Sequence, residues 1–183
     1  YPELYLQKLR ALCDAHDVLL IADEIATGFG RTGRLFATER AHITPDIMCL
    51  SKGLTGGYMP MSITVVKEKI YDAFYADWSE GKAFMHSHTY AGNPLGCSAA
   101  LAVLDILDEE NILERAEVTA SWLSARMAET FGAHPNVGEI RHIGLIHAVE
   151  LIEDRAAKRP FDGGRRLGYA IYRRALRHGL LLR

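Results

Sequence analysis

A chain of 183 residues with 49% hydrophobic and 24% charged side chains has enough apolar material for one domain with a sizeable core, or one domain and part of a second, and is too long for a disulfide-stapled miniprotein. A formal charge of -2 gives no general pull towards nucleic acid or an anionic membrane, and no apolar stretch reaches the roughly 20 residues of a membrane span. The three cysteines, Cys13, Cys49 and Cys97, are odd in number, far apart and form no C-x-x-C pair, which argues against a disulfide framework or a thiolate zinc site and fits a reducing cytoplasm.

The chain opens on Tyr1 and stops after LLLR, so it reads as part of a longer protein. Tyr5, Leu9 and Leu12 or Cys13 stand at helical spacing and predict a helix over 3–16, and the continuous apolar run 18–22 predicts a buried strand ending at Asp23. G-x-G-x-x-G then falls on Gly28, Gly30 and Gly33. A dinucleotide fingerprint needs its first glycine at the strand's carboxyl end and its third inside a new helix, where N–H groups and the helix dipole meet a pyrophosphate. Here four residues separate Asp23 from Gly28, no helical stripe follows Gly33, and no acid stands about 20 positions further on to hold a ribose, so the motif argues against that site.

Residues 47–50 predict a second buried strand leading into SKGLTGG, and 61–66 a third leading into a helix around 67–75. Apolar strands separated by helices predict a sheet covered on both faces and mostly parallel, with ligands at the strands' carboxyl ends. Asn93 and Pro94 are a good helix start, continued by Leu95, Ala99, Val103, Ile106 and Leu107. A further helix is predicted over 112–131, closed by Gly132, followed by strands near 137–141 and 145–152 and a helix over 165–178 stopped by Gly179. The change of pattern predicts a domain boundary near residue 110.

Asp23 ends one predicted strand and Lys52 follows the next. A lysine amine can form a Schiff base with pyridoxal phosphate, while a carboxylate keeps the pyridine nitrogen protonated so that the ring accepts electrons; on pattern alone, a lysine among glycines is more often a loop residue. Three blocks in order, DEIATGFGRTG, PDIMCLSKGLTGG and HTYAGNPLGCSAAL, resemble the signatures of the class III pyridoxal-phosphate aminotransferases, and the likeness runs over essentially the whole chain.

That resemblance implies an α/β fold, the pyridoxal-phosphate-dependent transferase fold type I. Residues 1–110 would form the second half of its large, mostly parallel-sheet domain and 111–183 the start of its small C-terminal α+β domain. It implies pyridoxal 5'-phosphate as cofactor, Asp23 as the partner of the pyridine nitrogen, Ile25 on the ring face, and Lys52 as the Schiff-base lysine and proton shuttle. It also implies a homodimer in which Thr89 binds the cofactor phosphate of the neighbouring subunit, with GFGRTG shaping a turn behind the cofactor. Family members carry, ahead of the segment that starts here at Tyr1, a glycine-serine loop for the phosphate and an aromatic residue that stacks on the ring.

Within the class, LTGGYMPMS, IYDAFYADWSEGKAFMHSHTYAGNP and RHGLLLR most resemble the branch that acts in biotin synthesis. This implies that 8-amino-7-oxononanoate is the substrate, with its carboxylate on Arg183, and that the amino donor is a small molecule such as S-adenosylmethionine. The ornithine, acetylornithine and 4-aminobutyrate branches share the cofactor blocks and are the alternatives.

Four features carry competing readings. Glu24 suits a place near the cofactor or a cap or ion pair equally. His86 and His88 would share a face on a strand, but no third metal ligand is near. Cys49 and Cys97 read as buried small hydrophobes. RRLGYAIYRRALRHG, basic with interleaved tyrosines, is the best case for a nucleic-acid-binding module, yet Leu167, Ile171, Ala175 and Leu176 give it the stripe of a packed surface helix.

Overall fold

The computed structural model describes residues 1–182. Its internal contacts divide the chain into two compact units, Tyr1–Trp122 with Ile143–Ile146, and Leu123–His142 with His147 onward.

The first unit begins with helix α1, Glu3–Ala15. Its inward stripe is Leu6, Leu9, Arg10 and Cys13, which keeps Leu9 and Cys13 of the predicted one, while Tyr5 and Leu12 stay exposed. After a left-handed turn at Asp17 comes strand β1, Ile21–Asp23, shorter than the apolar run that announces it. Leu20 is occupied otherwise, its N–H donating to the Asp46 carboxylate at 2.9 Å and its carbonyl accepting from the N–H of Asp46 and of Ile47. The short helix α2, Ala37–Arg40, precedes strand β2, Ile47–Leu50, which lies parallel to β1 with Asp23 opposite Cys49.

Strand β3, Ile63–Val66, runs antiparallel to β2. The link between them folds back through a 3-10 turn, Lys52–Thr55, instead of crossing over the sheet. Two hydroxyls fasten that turn to the returning chain, Ser51 donating to the Met61 carbonyl at 2.7 Å and Thr55 to the Met59 carbonyl at 2.6 Å.

Helix α3, Glu68–Tyr71, is shorter than the helix expected around 67–75, and residues 71–92 are exposed throughout. Helix α4, Pro94–Glu109, starts as the sequence predicts, the Asn93 side chain accepting from the Leu95 N–H at 3.0 Å. It packs on the 3-10 turn. Helix α5, Ile112–Phe131, follows.

The expected cover on both sheet faces is not supplied within this unit: Leu19, Ile21 and Val65 remain 47%, 60% and 50% exposed. The fully buried apolar residues of this unit are spread over its elements instead: Cys13 on α1, Ala41 directly after α2, Leu50 at the end of β2, Leu54 in the 3-10 turn, Ala100 on α4, and Ala116 and Ala120 on α5.

In the second unit strands β4, Val137–Ile143, and β5, Ile146–Leu151, pair beside the later part of α5. Asn136 and Ile152 clamp the open end of the pair through two hydrogen bonds, with Val137 and Ile152 buried. Helix α6, Leu167–Leu176, half-buries Leu167, Tyr172 and Ala175 but leaves Ile171 and Leu176 exposed, so only part of its expected stripe is packed.

Candidate active site

Asp23 is the last residue of β1, and Lys52 stands two residues beyond β2. Because the two strands are parallel neighbours in register at Asp23 and Cys49, the carboxylate and the amine emerge at the same, carboxyl, edge of the sheet. The Asp23 carboxylate accepts from the Ile25 N–H at 3.0 Å, which ties the acid and the half-buried Ile25 into one turn. Among the described residues neither Asp23 nor Lys52 forms an ion pair, whereas Lys67 and Lys69 lie 3.0 and 3.6 Å from Asp46 and Lys82 lies 2.8 Å from Glu80.

Glu24 points the other way. It is 2% exposed, and its carboxylate accepts from the Thr27 hydroxyl and, at 2.8 Å, from the backbone N–H of Thr38 in the first turn of α2. Of its two readings, the cap is the one the geometry fulfils. The glycine motif between Asp23 and α2 forms successive turns, and no helix opens at Gly33; α2 starts at Ala37. Its Phe29 lies against Gly53, directly after Lys52: a Cβ placed on Gly53 would come within 2.8 Å of the Phe29 Cβ.

Asp46 went unremarked in the sequence and is the most heavily engaged carboxylate among the described residues. Its side chain is 2% exposed; it accepts from the Leu20 N–H at 2.9 Å and from Arg10 at 2.7 Å, with Lys67 and Lys69 on its other oxygen. The Leu20 N–H, then the Arg10 guanidinium and the Lys67 amine, hold its carboxyl far below the usual carboxylate range, and Asp46 in turn raises the Arg10 pKa. It sits at the opposite end of β2 from Lys52, so it braces the sheet. The available signal was an acid directly before an apolar strand, with basic residues just beyond the next one.

The remaining candidates are not drawn into this cluster. Thr89 occupies an exposed turn and makes no hydrogen bond to Asp23 or Lys52. Arg183 lies outside the described residues. His86 and His88 lie on chain that is not a strand, and among the described residues no three His, Cys, Asp or Glu side chains are arranged to hold a metal. Cys49 and Cys97 are half-buried and Cys13 fully so.

The profile of the aminotransferase class-III family matches residues 1–183. The chain belongs to that family. This class-III chain is 47% identical over 182 residues to the adenosylmethionine-8-amino-7-oxononanoate aminotransferase of Geobacter sulfurreducens, an alignment that takes in 100% of the chain and 40% of the relative. It superposes with a TM-score of 0.93 and 37% identity on the crystal structure of adenosylmethionine-8-amino-7-oxononanoate aminotransferase from Methanocaldococcus jannaschii, covering 100% of the chain and 42% of that structure. A thermostable (S)-enantioselective omega-transaminase from Thermomicrobium roseum gives a TM-score of 0.92 at 36% identity over 100% of the chain and 40% of its own. The fold is thus part of the pyridoxal-phosphate-dependent transferase fold type I, and the chain spans about 40% of the length of the curated relatives it matches. A nucleic-acid-binding module is not favoured by these matches. No helix among the described residues is long and apolar enough to cross a membrane.

Proposed function

We propose that this class-III chain is the lysine-bearing part of a pyridoxal-phosphate-dependent aminotransferase that converts 8-amino-7-oxononanoate to 7,8-diaminononanoate with a donor such as S-adenosylmethionine. The observation that carries the chemistry is the pairing of Asp23 and Lys52 at the carboxyl edge of adjacent parallel strands, both without a counter-ion among the described residues. A primary amine, a carboxylate and the half-buried Ile25 beside it are the donor set that pyridoxal phosphate requires, so the residues fit the cofactor. When bound, the cofactor supplies an electron sink for charge developing on the substrate's reacting carbon.

In this reading Lys52 holds the cofactor covalently and moves a proton at the substrate carbon, Asp23 holds a proton at the pyridine nitrogen, and Ile25 packs on the ring. Thr89 would bind the phosphate from the neighbouring subunit of a homodimer, which the exposed course of 71–92 supports. Arg183 would receive the substrate carboxylate in paired hydrogen bonds. Residues 1–110 would belong to the large domain and 111–183 to the small one. The choice of substrate rests on the names of the relatives, six of which are called adenosylmethionine-8-amino-7-oxononanoate aminotransferase at 37–47% identity across the full chain.

Borohydride reduction of the full-length holoenzyme, followed by peptide mapping, should place the reduced pyridoxyl adduct on Lys52. An adduct on Lys67, Lys69 or Lys82 would overturn the assignment. Stopped-flow half-reactions should show amino transfer to 8-amino-7-oxononanoate; rapid turnover of ornithine or 4-aminobutyrate with 2-oxoglutarate, and no response to the oxononanoate, would move the protein to a sister activity.

A further inference from the structure

Two residues other than glycine hold left-handed backbone beside the candidate site, Lys52 at φ 45° and Phe29 at φ 58°. A side-chain-bearing residue stays in that region only where its surroundings over-determine it. The turn around Lys52 is bracketed by the Leu54 N–H donating to the Ser51 carbonyl at 3.0 Å, with Lys52 and Gly53 as its central residues. Against Gly53 lies Phe29, so close that an added methyl would sit 2.8 to 3.0 Å from its Cβ, Cγ and Cδ2.

Phe29 is itself fixed. Its N–H donates to the Leu35 carbonyl at 2.6 Å, its ring meets Phe36 edge-on at 6.0 Å, and Gly30, at φ 88°, brings the loop so near Leu113 that a Cβ there would lie 3.0 Å from the leucine's Cδ2. A rigid ring from one loop therefore fills the place where any side chain at residue 53 would go, and the lysine turn is pressed between that ring and the hydroxyl ties of Ser51 and Thr55.

We propose that Phe29 is a positioning residue for Lys52: by seating on Gly53 it fixes the backbone from which the amine departs, and so the direction in which the lysine holds its cofactor. This rests on the reading of Lys52 as the covalent lysine. The test uses the full-length protein and the variants Phe29→Ala, Phe29→Tyr and Gly53→Ala.

Phe29→Ala should change the visible circular dichroism of bound pyridoxal phosphate and lower kcat about 10- to 100-fold, in line with small displacements of a reacting group. In the cofactor-free protein it should shift the reductive-methylation rate of Lys52 several-fold while leaving Lys67, Lys69 and Lys82 unchanged. Phe29→Tyr, which keeps the ring, should restore all three. Gly53→Ala should reproduce the labelling shift with Phe29 intact, which keeps the test open if Phe29→Ala fails to fold. Variants that lose thermal stability while Lys52 labelling and the dichroism stay at the parent's values overturn the proposal. A parent adduct on another lysine overturns the reading of Lys52, and the proposal with it; an adduct on Lys52 with unmoved labelling overturns the proposal alone.

Discussion

Asp23 and Asp46 stand at opposite ends of one small sheet, and their surroundings give them opposite work. Asp46 is walled in by Arg10, Lys67, Lys69 and the Leu20 N–H. Its folded pKa is depressed, so its contribution to stability is fully present above the unfolded value of about 3.9 and is lost as pH falls from there towards the folded pKa. Asp46→Asn in the full-length protein should cost roughly 3 kcal/mol near neutral pH, because Arg10 and the lysines are left facing a neutral group. The gap to the parent should narrow below about pH 4. Urea unfolding at a series of pH values checks this, and a gap that stays constant down the series would contradict it. Asp23 makes one backbone hydrogen bond that an asparagine oxygen can keep. Asp23→Asn should therefore leave stability within about 0.5 kcal/mol while turnover falls roughly a hundredfold or more, since only the charge is removed. Single-turnover kinetics with the amino donor reads the loss, and near-parent rates would reduce Asp23 to a turn residue.

Elements whose ends are set by local chemistry were legible. Strand β2 falls on the apolar run 47–50, α5 on 112–131, and α4 begins where Asn93 and Pro94 announce it. The Asn93 cap should be worth about 1 kcal/mol, so Asn93→Ala should lower the unfolding free energy of the full-length protein by that much, read from a lower urea midpoint, and an unchanged midpoint would mean that α4 is held by its packing on the lysine turn alone. Elements whose ends are set by distant partners were misjudged. Strand β1 starts late because Leu20 is taken by Asp46, 26 residues away, and the polar Arg10 joins the inward side of α1 because the same carboxylate holds it. The candidate site divides in the same way. Asp23 and Lys52 were readable as strand tips, and GFGRTG as a turn. The contact of Phe29 with Gly53 was hidden, because a glycine in the sequence does not say which side chain will occupy the room it leaves.

At the scale of the whole chain, apolar surface decides. Phe74, Tyr75, Trp78, Phe84, Met85 and Tyr90 are between 45% and 81% exposed along 71–92. Next to them, within the first unit, a cleft of about 850 Å³ is lined by side chains that include Leu19, Ile47, Val66 and Phe74. Soluble monomers rarely leave contiguous apolar patches larger than a few hundred Å² without a partner surface. The 183 residues expressed alone should therefore self-associate at roughly micromolar concentrations and bind a hydrophobic dye such as anilinonaphthalene sulfonate. In the proposed reading Asp23 and Lys52 would supply only the ring-nitrogen and amine contacts, so pyridoxal phosphate should bind the 183 residues weakly. Sedimentation and absorbance titration, run beside the full-length protein, test both halves. The full-length protein should sediment as a discrete dimer with tightly bound cofactor, and a monomeric 183-residue chain that binds pyridoxal phosphate equally tightly would show that these strand tips need no other surface to hold it.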